Sequence, residues 1–282
     1  MRLRDGRALG YAEYGDPCGK PVLFFHGFPG SRLAGALVHD AAVRHGVRIV
    51  SIDRPGCGLS DFKQVRTFLD WPADVVELTA ALRIDRFGVA GMSGGGPYAA
   101  VCAYAIPQRL TGAHIISGVG PFDAPGATEG MSRQNRILFA LGRHALWLGG
   151  LFIRLMARFA HHPSDKMLDR MTQAMPGPDR AVLARPEIRA MFLNDLREAF
   201  RQGARGAIHE LRVYSQPWGF RLEDITVPVH LWQGGVDKNV SPAMGRYQAS
   251  AIPNCKATFM ENEGHLLGIT HADAIIAATA AT

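Results

Sequence analysis

Ser93 stands at the centre of Gly91-Met92-Ser93-Gly94-Gly95, and that setting makes it a candidate nucleophile. A serine hydroxyl attacks poorly unless a base takes its proton, so the surroundings matter more than the residue. Residues 87–90 read as a strand running into the motif, and a helix with Pro97 in its first turn leaves it. Proline is tolerated there because early helical N–H groups have no partner within the helix. A strand–turn–helix with small flanking residues holds the central side chain in a tight turn above a sheet. Stripped of that context, the pattern is a glycine-rich turn with an incidental serine.

Eleven histidines compete for the role of base, and position chooses among them. His265 lies in Glu263-Gly264-His265, just past the last strand-like run, where a loop reaches the carboxyl edge of a sheet. His26 also follows a strand, but its His-Gly pair reads as loop-shaping. His161, His162 and His209 read as surface or packing residues. The base in turn needs a carboxylate to fix its tautomer and stabilise the imidazolium. Asp237, in Gly234-Gly235-Val236-Asp237, follows a strand and precedes His265 by 28 positions, room for one helix and one strand. Asp123, after the preceding strand, is the alternative acid. Acyl transfer also requires donors aimed at a developing oxyanion. The backbone N–H groups of Phe28 and Gly94 are the candidates, which leaves the Phe28 side chain free to line a pocket.

The elements that must position these residues alternate. Strand-like runs at 8–14, 22–25, 47–52, 87–90 and 113–117 are separated by helical sequence, including a helix capped by Ser31 and one over 69–82. Strand signals then vanish over residues 121–216. There Ile137, Leu141, Ala145 and Leu148 recur at helical spacing, as do Leu151, Leu155 and Phe159. Strands resume at 227–232 and 258–260. The chain thus reads as α/β, a mostly parallel central sheet with helices on both faces, built from residues 1–120 and 217–282. Residues 121–216 form an inserted helical cap. Such a cap is expected to roof a largely apolar pocket, with Leu155 and Phe159 beside Phe28 as its lining.

The segments HGFPGS (26–31), DRPGCGLSD (53–61), GMSGGGP (91–97), GGVD (234–237) and EGH (263–265) together resemble the α/β-hydrolase superfamily over nearly the whole core. The resemblance implies that 53–61 is a structural loop near the site and that the insertion corresponds to the cap. EAFRQG (198–203) and QPWGF (216–220) are similar to segments of bacterial capped hydrolases and indicate no substrate. The expected reaction is hydrolysis of a carboxylic ester or related acyl bond of a small, largely apolar molecule through an acyl-enzyme. It calls for no cofactor and no metal. A serine at the elbow argues against haloalkane dehalogenases and epoxide hydrolases, whose nucleophile in this superfamily is an aspartate. The same three residues also suit cofactor-free perhydrolysis, haloperoxidase or lyase chemistry, or a ligand-binding protein with little turnover.

Composition narrows the partners. Hydrophobic residues are 47% and charged residues 20%, an ordinary globular balance rather than a disordered one. Residues 121–216 hold 14 Arg and Lys against 9 Asp and Glu, a surplus of five in a chain of net charge +6. These basic residues are spread through helical sequence and form no run that would track phosphates, so nucleic acid is not expected. A solvated helix face is the plain reading, and steering of anionic substrates the sharper one. No stretch is long and apolar enough for membrane insertion, no secretory signal is read at the N-terminus, and the four scattered cysteines suit free thiols in a cytoplasmic protein.

Overall fold

The computed structural model describes residues 1–163, 169–170 and 172–282. Seven strands form one sheet in the order β1-β3-β2-β4-β5-β6-β7. They are β1 Tyr11–Gly15, β2 Lys20–Phe25, β3 Val47–Ile52, β4 Phe87–Met92, β5 Leu110–Ile116, β6 Val229–Gly234 and β7 Cys255–Met260. Only β1 runs antiparallel; every other pairing is parallel, with Val22 opposite Gly88 and Gly91 opposite Ile115. The short continuous apolar runs become inner strands because both of their faces are covered.

Alternation along β2 sorts the core into two layers. Leu23 and Phe25 join Val75 and Leu78 of α2 (Trp71–Ala81) and Tyr98 to Ala103 of α3 (Gly96–Ala105). Val22 and Phe24 point the other way, against Ala41 and Ala42 of α1 (His39–Arg44) and against Ile275 and Ile276 near the C-terminus. Two local expectations shift. The first strand begins at Tyr11, since Ala8 makes only an isolated bridge to Arg2. The helix capped by Ser31 is 3-10 over Arg32–Val38 before α1 begins. Gly35 sits in its middle, where glycine weakens α-helical preference.

Between β5 and β6 the described residues form no strand. The helices there include α4 Arg133–His144, α5 Leu146–His161, α6 Gly177–Leu183, α7 Pro186–Ala199 and α8 Arg205–Ser215. Residues 121–130, at the start of the expected insertion, are loop and turns instead. Ser132 opens α4 by accepting from the Asn135 N–H, and prolines 178 and 186 start α6 and α7. Ile153, Ala157 and Ala160 of α5, Leu196 of α7 and Leu211 of α8 close a small core of their own, and Phe28 packs against it from the loop after β2. After β6 come α9 (Pro242–Ala251), β7, a short α10 (Leu267–Thr270) and α11 (Ala272–Ala281). Loops from all six parallel strands, β2 to β7, therefore leave the same carboxyl edge, where open α/β sheets bind their ligands.

Candidate active site

Ser93 sits directly after β4 with φ of +54°, a left-handed conformation that side chains other than glycine rarely adopt. Its neighbours explain how the turn closes. A Cβ on Gly91 would lie 2.2 Å from the Gly95 carbonyl oxygen, and one on Gly95 would lie 2.0 Å from that of Phe25. Only glycines let strand and helix approach so closely.

The Ser93 hydroxyl lies 2.9 Å from His265 Nε2, and His265 Nδ1 lies 2.8 Å from Asp237 Oδ2. Asp237 is buried at the end of β6, and its other oxygen accepts the backbone N–H groups of Asn239 and Val240 at 2.8 and 3.0 Å. Its carboxylate is thereby fixed on both sides. α9 and β7 occupy the interval between Asp237 and His265. Asp123, the alternative acid, is exposed in a turn.

Environment separates the two histidines at this edge. Burial pulls the His265 imidazole down, but the charge and hydrogen bond of Asp237, with Asp179 behind, more than reverse this and leave it above its ordinary value. His26 is fully buried. Burial first, then the Arg54 guanidinium, push it well below the ordinary value and keep it neutral. Its Nε2 accepts the backbone N–H of Arg54 at 3.3 Å, so His26 shapes a loop.

That loop carries Phe28. The Phe28 N–H has no protein acceptor among the described residues. A Cβ on Gly94 would come within 3.1 Å of the Phe28 nitrogen, and one on Gly27 within 3.5 Å of the Ser93 Cβ, so both loops abut the serine. Arg54 donates to the carbonyls of His26 and Gly27, the latter at 2.8 Å. Because a trans peptide sets N–H opposite C=O, holding the Gly27 oxygen also aims the Phe28 N–H. Glu210 of α8 holds Arg54 at 2.7 Å and also accepts from Arg66 and Tyr98. Burial alone would raise the Glu210 pKa, yet the two guanidiniums hold it well below the ordinary range. The Tyr214 hydroxyl lies 2.7 Å from the Gly94 carbonyl oxygen and 3.0 Å from Glu210, its one proton serving either.

The inserted helices reach the site through three acids that the sequence reading passed over. Besides Glu210, Asp179 of α6 accepts the backbone N–H groups of His265 and Leu266 at 3.1 and 2.8 Å. Asp195 of α7 accepts both the N–H and the hydroxyl of Ser31 at 2.9 and 2.6 Å. A signal existed for two of them. Glu210 falls in line with Ala207, Leu211 and Tyr214, and Asp195 beside Phe192, Leu196 and Ala199, so each is a carboxylate on an apolar helix face.

The expected pocket lining divides. Phe28 contacts the Tyr214 ring edge-on and packs on the core of the insertion, as does half-buried Phe159. Leu155 corrects the expectation: it is 60% exposed on the outer side of α5, because the opposite face of that helix does the packing. An apolar cavity of about 30 Å³ lies beside the elbow, lined by Gly27, Leu37, Met92, Ile116, Gly268 and Ile269. The four cysteines form no disulfide, and the described residues include no helix long and apolar enough to cross a membrane.

A family model described as the alpha/beta hydrolase fold matches residues 20–272. The chain belongs to the α/β-hydrolase family. Solved structures agree on its fold: a bromoperoxidase from Bacillus anthracis superposes with a TM-score of 0.73 at 20% identity, covering 99% of this chain and 97% of that one. A hydrolase from Pseudomonas aeruginosa superposes at 0.72 and 17% identity, covering 100% and 96%. Among curated proteins, a non-heme chloroperoxidase of Streptomyces lividans is 34% identical over 119 residues, 42% of this chain and 43% of that one. A proline iminopeptidase of Xylella fastidiosa is 36% identical over 112 residues, 38% and 35% of the two chains. The chain thus matches less than half the length of these curated relatives. Their names give differing chemistries, a peroxidase and a peptidase.

Proposed function

We propose that this α/β-hydrolase is a serine hydrolase that cleaves a carboxylic ester or related acyl bond of a small, largely apolar molecule. The observation that carries the reading is the unbroken line of hydrogen bonds from Ser93 through His265 to Asp237, at 2.9 and 2.8 Å. Ser93 Oγ attacks the acyl carbon while His265 Nε2 takes its proton. Asp237 holds the Nδ1 proton and stabilises the imidazolium. Negative charge gathers on the former carbonyl oxygen and is met by the N–H groups of Phe28 and Gly94, each worth about 10²–10³ in rate in comparable sites. His265 then protonates the leaving group, which departs and leaves an acyl-Ser93 ester. Water, deprotonated by the same imidazole, releases the acid. The inserted helices act as a cap over this edge.

The chloroperoxidase relative favours one second reading, in which peroxide replaces water as the acceptor of the acyl group. A panel of p-nitrophenyl esters, amides and N-terminal prolyl substrates, run beside a peroxide-dependent halogenation assay, separates the two. The proposal expects fastest turnover on the esters, with no need for peroxide. Halogenation without appreciable ester hydrolysis would overturn it.

A further inference from the structure

The outer face of α4 and α5 serves neither the fold nor the site. Ile137, Trp147, Leu148, Leu151, Phe152 and Leu155 are 37–73% exposed there. These six are nearly half of the thirteen exposed large apolar side chains among the described residues, and the others are scattered singly along the chain. The five on α5 follow helical spacing and form one strip, while Gly149, Gly150, Ile153, Ala157 and Ala160 face inward. Contiguous exposed apolar surface of this kind marks an interaction face.

Charge identifies the occupant. Between Glu129 and Asp165 the chain has no Asp or Glu, but it has Arg133, Arg136, Arg143, Arg154 and Arg158. All five are exposed, and none has an ion-pair partner among the described residues. Elsewhere in the insertion acids are interspersed, and Arg185, Arg189 and Arg201 pair with them, so what sets α4 and α5 apart is the absence of any acid among their arginines. A symmetric contact between two copies through this face would bring arginine against arginine with no acid between them, which disfavours self-association. Trp, Leu and Phe in a strip, with arginines along it and no acid, is instead the composition of a helix lying in the headgroup layer of a membrane. Its rings and aliphatic chains enter the acyl boundary and its arginine stems reach back to phosphates. At 12 and 16 residues, α4 and α5 are too short to span.

We infer that α4 and α5 form a docking face for the surface of an anionic phospholipid bilayer, holding the protein at the membrane without crossing it. The inference stands apart from the catalytic reading. Trp147 is a built-in reporter, being 73% exposed while Trp71, Trp218 and Trp232 are buried.

The full chain is mixed at low salt with vesicles of phosphatidylglycerol and phosphatidylcholine in equal parts, or of phosphatidylcholine alone. Cosedimentation and tryptophan emission are then read. Docking predicts binding and a blue shift with the anionic vesicles, and binding about tenfold or more weaker to phosphatidylcholine or at high salt. The double variant Leu148→Ser/Leu151→Ser should lose binding and shift together. Arg154→Gln/Arg158→Gln should lose the preference for anionic lipid. Trp147→Phe should still bind but without the shift. All should melt as the parent does, since the altered side chains lie in solvent. Failure to sediment with anionic vesicles, or undiminished binding by the double serine variant, overturns the inference. So does a blue shift that grows with protein concentration in the absence of lipid, which would make the face a contact between copies or with another protein.

Discussion

At the scale of single residues, the site works by setting like groups apart. Two histidines stand at one sheet edge, and His265 is raised where His26 is lowered. Two aspartates support His265 from different sides, Asp237 at the ring and Asp179 at the backbone. Their substitutions should therefore differ in kind. Asp237→Asn leaves the imidazole in the wrong tautomer and is expected to lower turnover by about 10⁴. Exposed Asp123, changed to Asn, should cost far less. Asp179→Asn keeps the tautomer but removes a charge that raises His265. A general base must be neutral to act, so activity climbs as pH rises through the His265 pKa, placed above the ordinary 6.5. The acid limb of kcat/KM should move to lower pH in Asp179→Asn, while the tautomer-dependent plateau survives. A pH–rate profile for each variant checks both. An unmoved limb in Asp179→Asn would mean that Asp179 acts through loop geometry alone.

At the scale of elements, three inserted helices place acids on core loops: Asp179 on the His265 loop, Asp195 and Glu198 on Ser31 and Arg32 after β2, and Glu210 on Arg54. Of these, α7 is legible in sequence, because Ile188, Phe192, Leu196 and Ala199 repeat at helical spacing, whereas 176–178 reads as a loop and α6 begins at Gly177. The clamps themselves are not legible in sequence, because a carboxylate on an apolar face shows its purpose only when its partner, distant in sequence, is in place. Leu155 misled for the converse reason: periodicity reveals a stripe but not which side of it the core will use. Asp195 also leaves a thermodynamic mark. Burial pushes its carboxyl up to about 7, against the hydrogen bonds from Ser31 that pull it down. Between the ordinary 3.8 and about 7, the folded protein keeps a proton that the unfolded chain has released. Stability from this group is therefore present at low pH and lost as pH rises through that window. Asp195→Asn is neutral throughout and can accept from Ser31 with the same Oδ1. It should melt a few degrees higher than the parent at about pH 8 and much the same at about pH 4. Equal melting of the two proteins at both pH values would remove Asp195 from the account.

At the scale of the whole molecule, six parallel strands send their loops to one edge, and residues far apart in sequence meet there. The fold was legible because alternating strands and helices admit few topologies, and because Ser93, Asp237 and His265 each follow a strand. What sequence could not supply is how closely the inserted helices grip those loops, since Arg54–Glu210 spans 156 positions and Ser31–Asp195 spans 164. The central claim is that an acyl group passes through Ser93. Its most direct test is rapid quenching of the enzyme with p-nitrophenyl acetate, followed by peptide mass spectrometry. The account predicts a burst of p-nitrophenol, an acetyl increment on the peptide that contains Ser93, and neither burst nor increment in Ser93→Ala. An acetyl group on another residue, or turnover undiminished in Ser93→Ala, would contradict it.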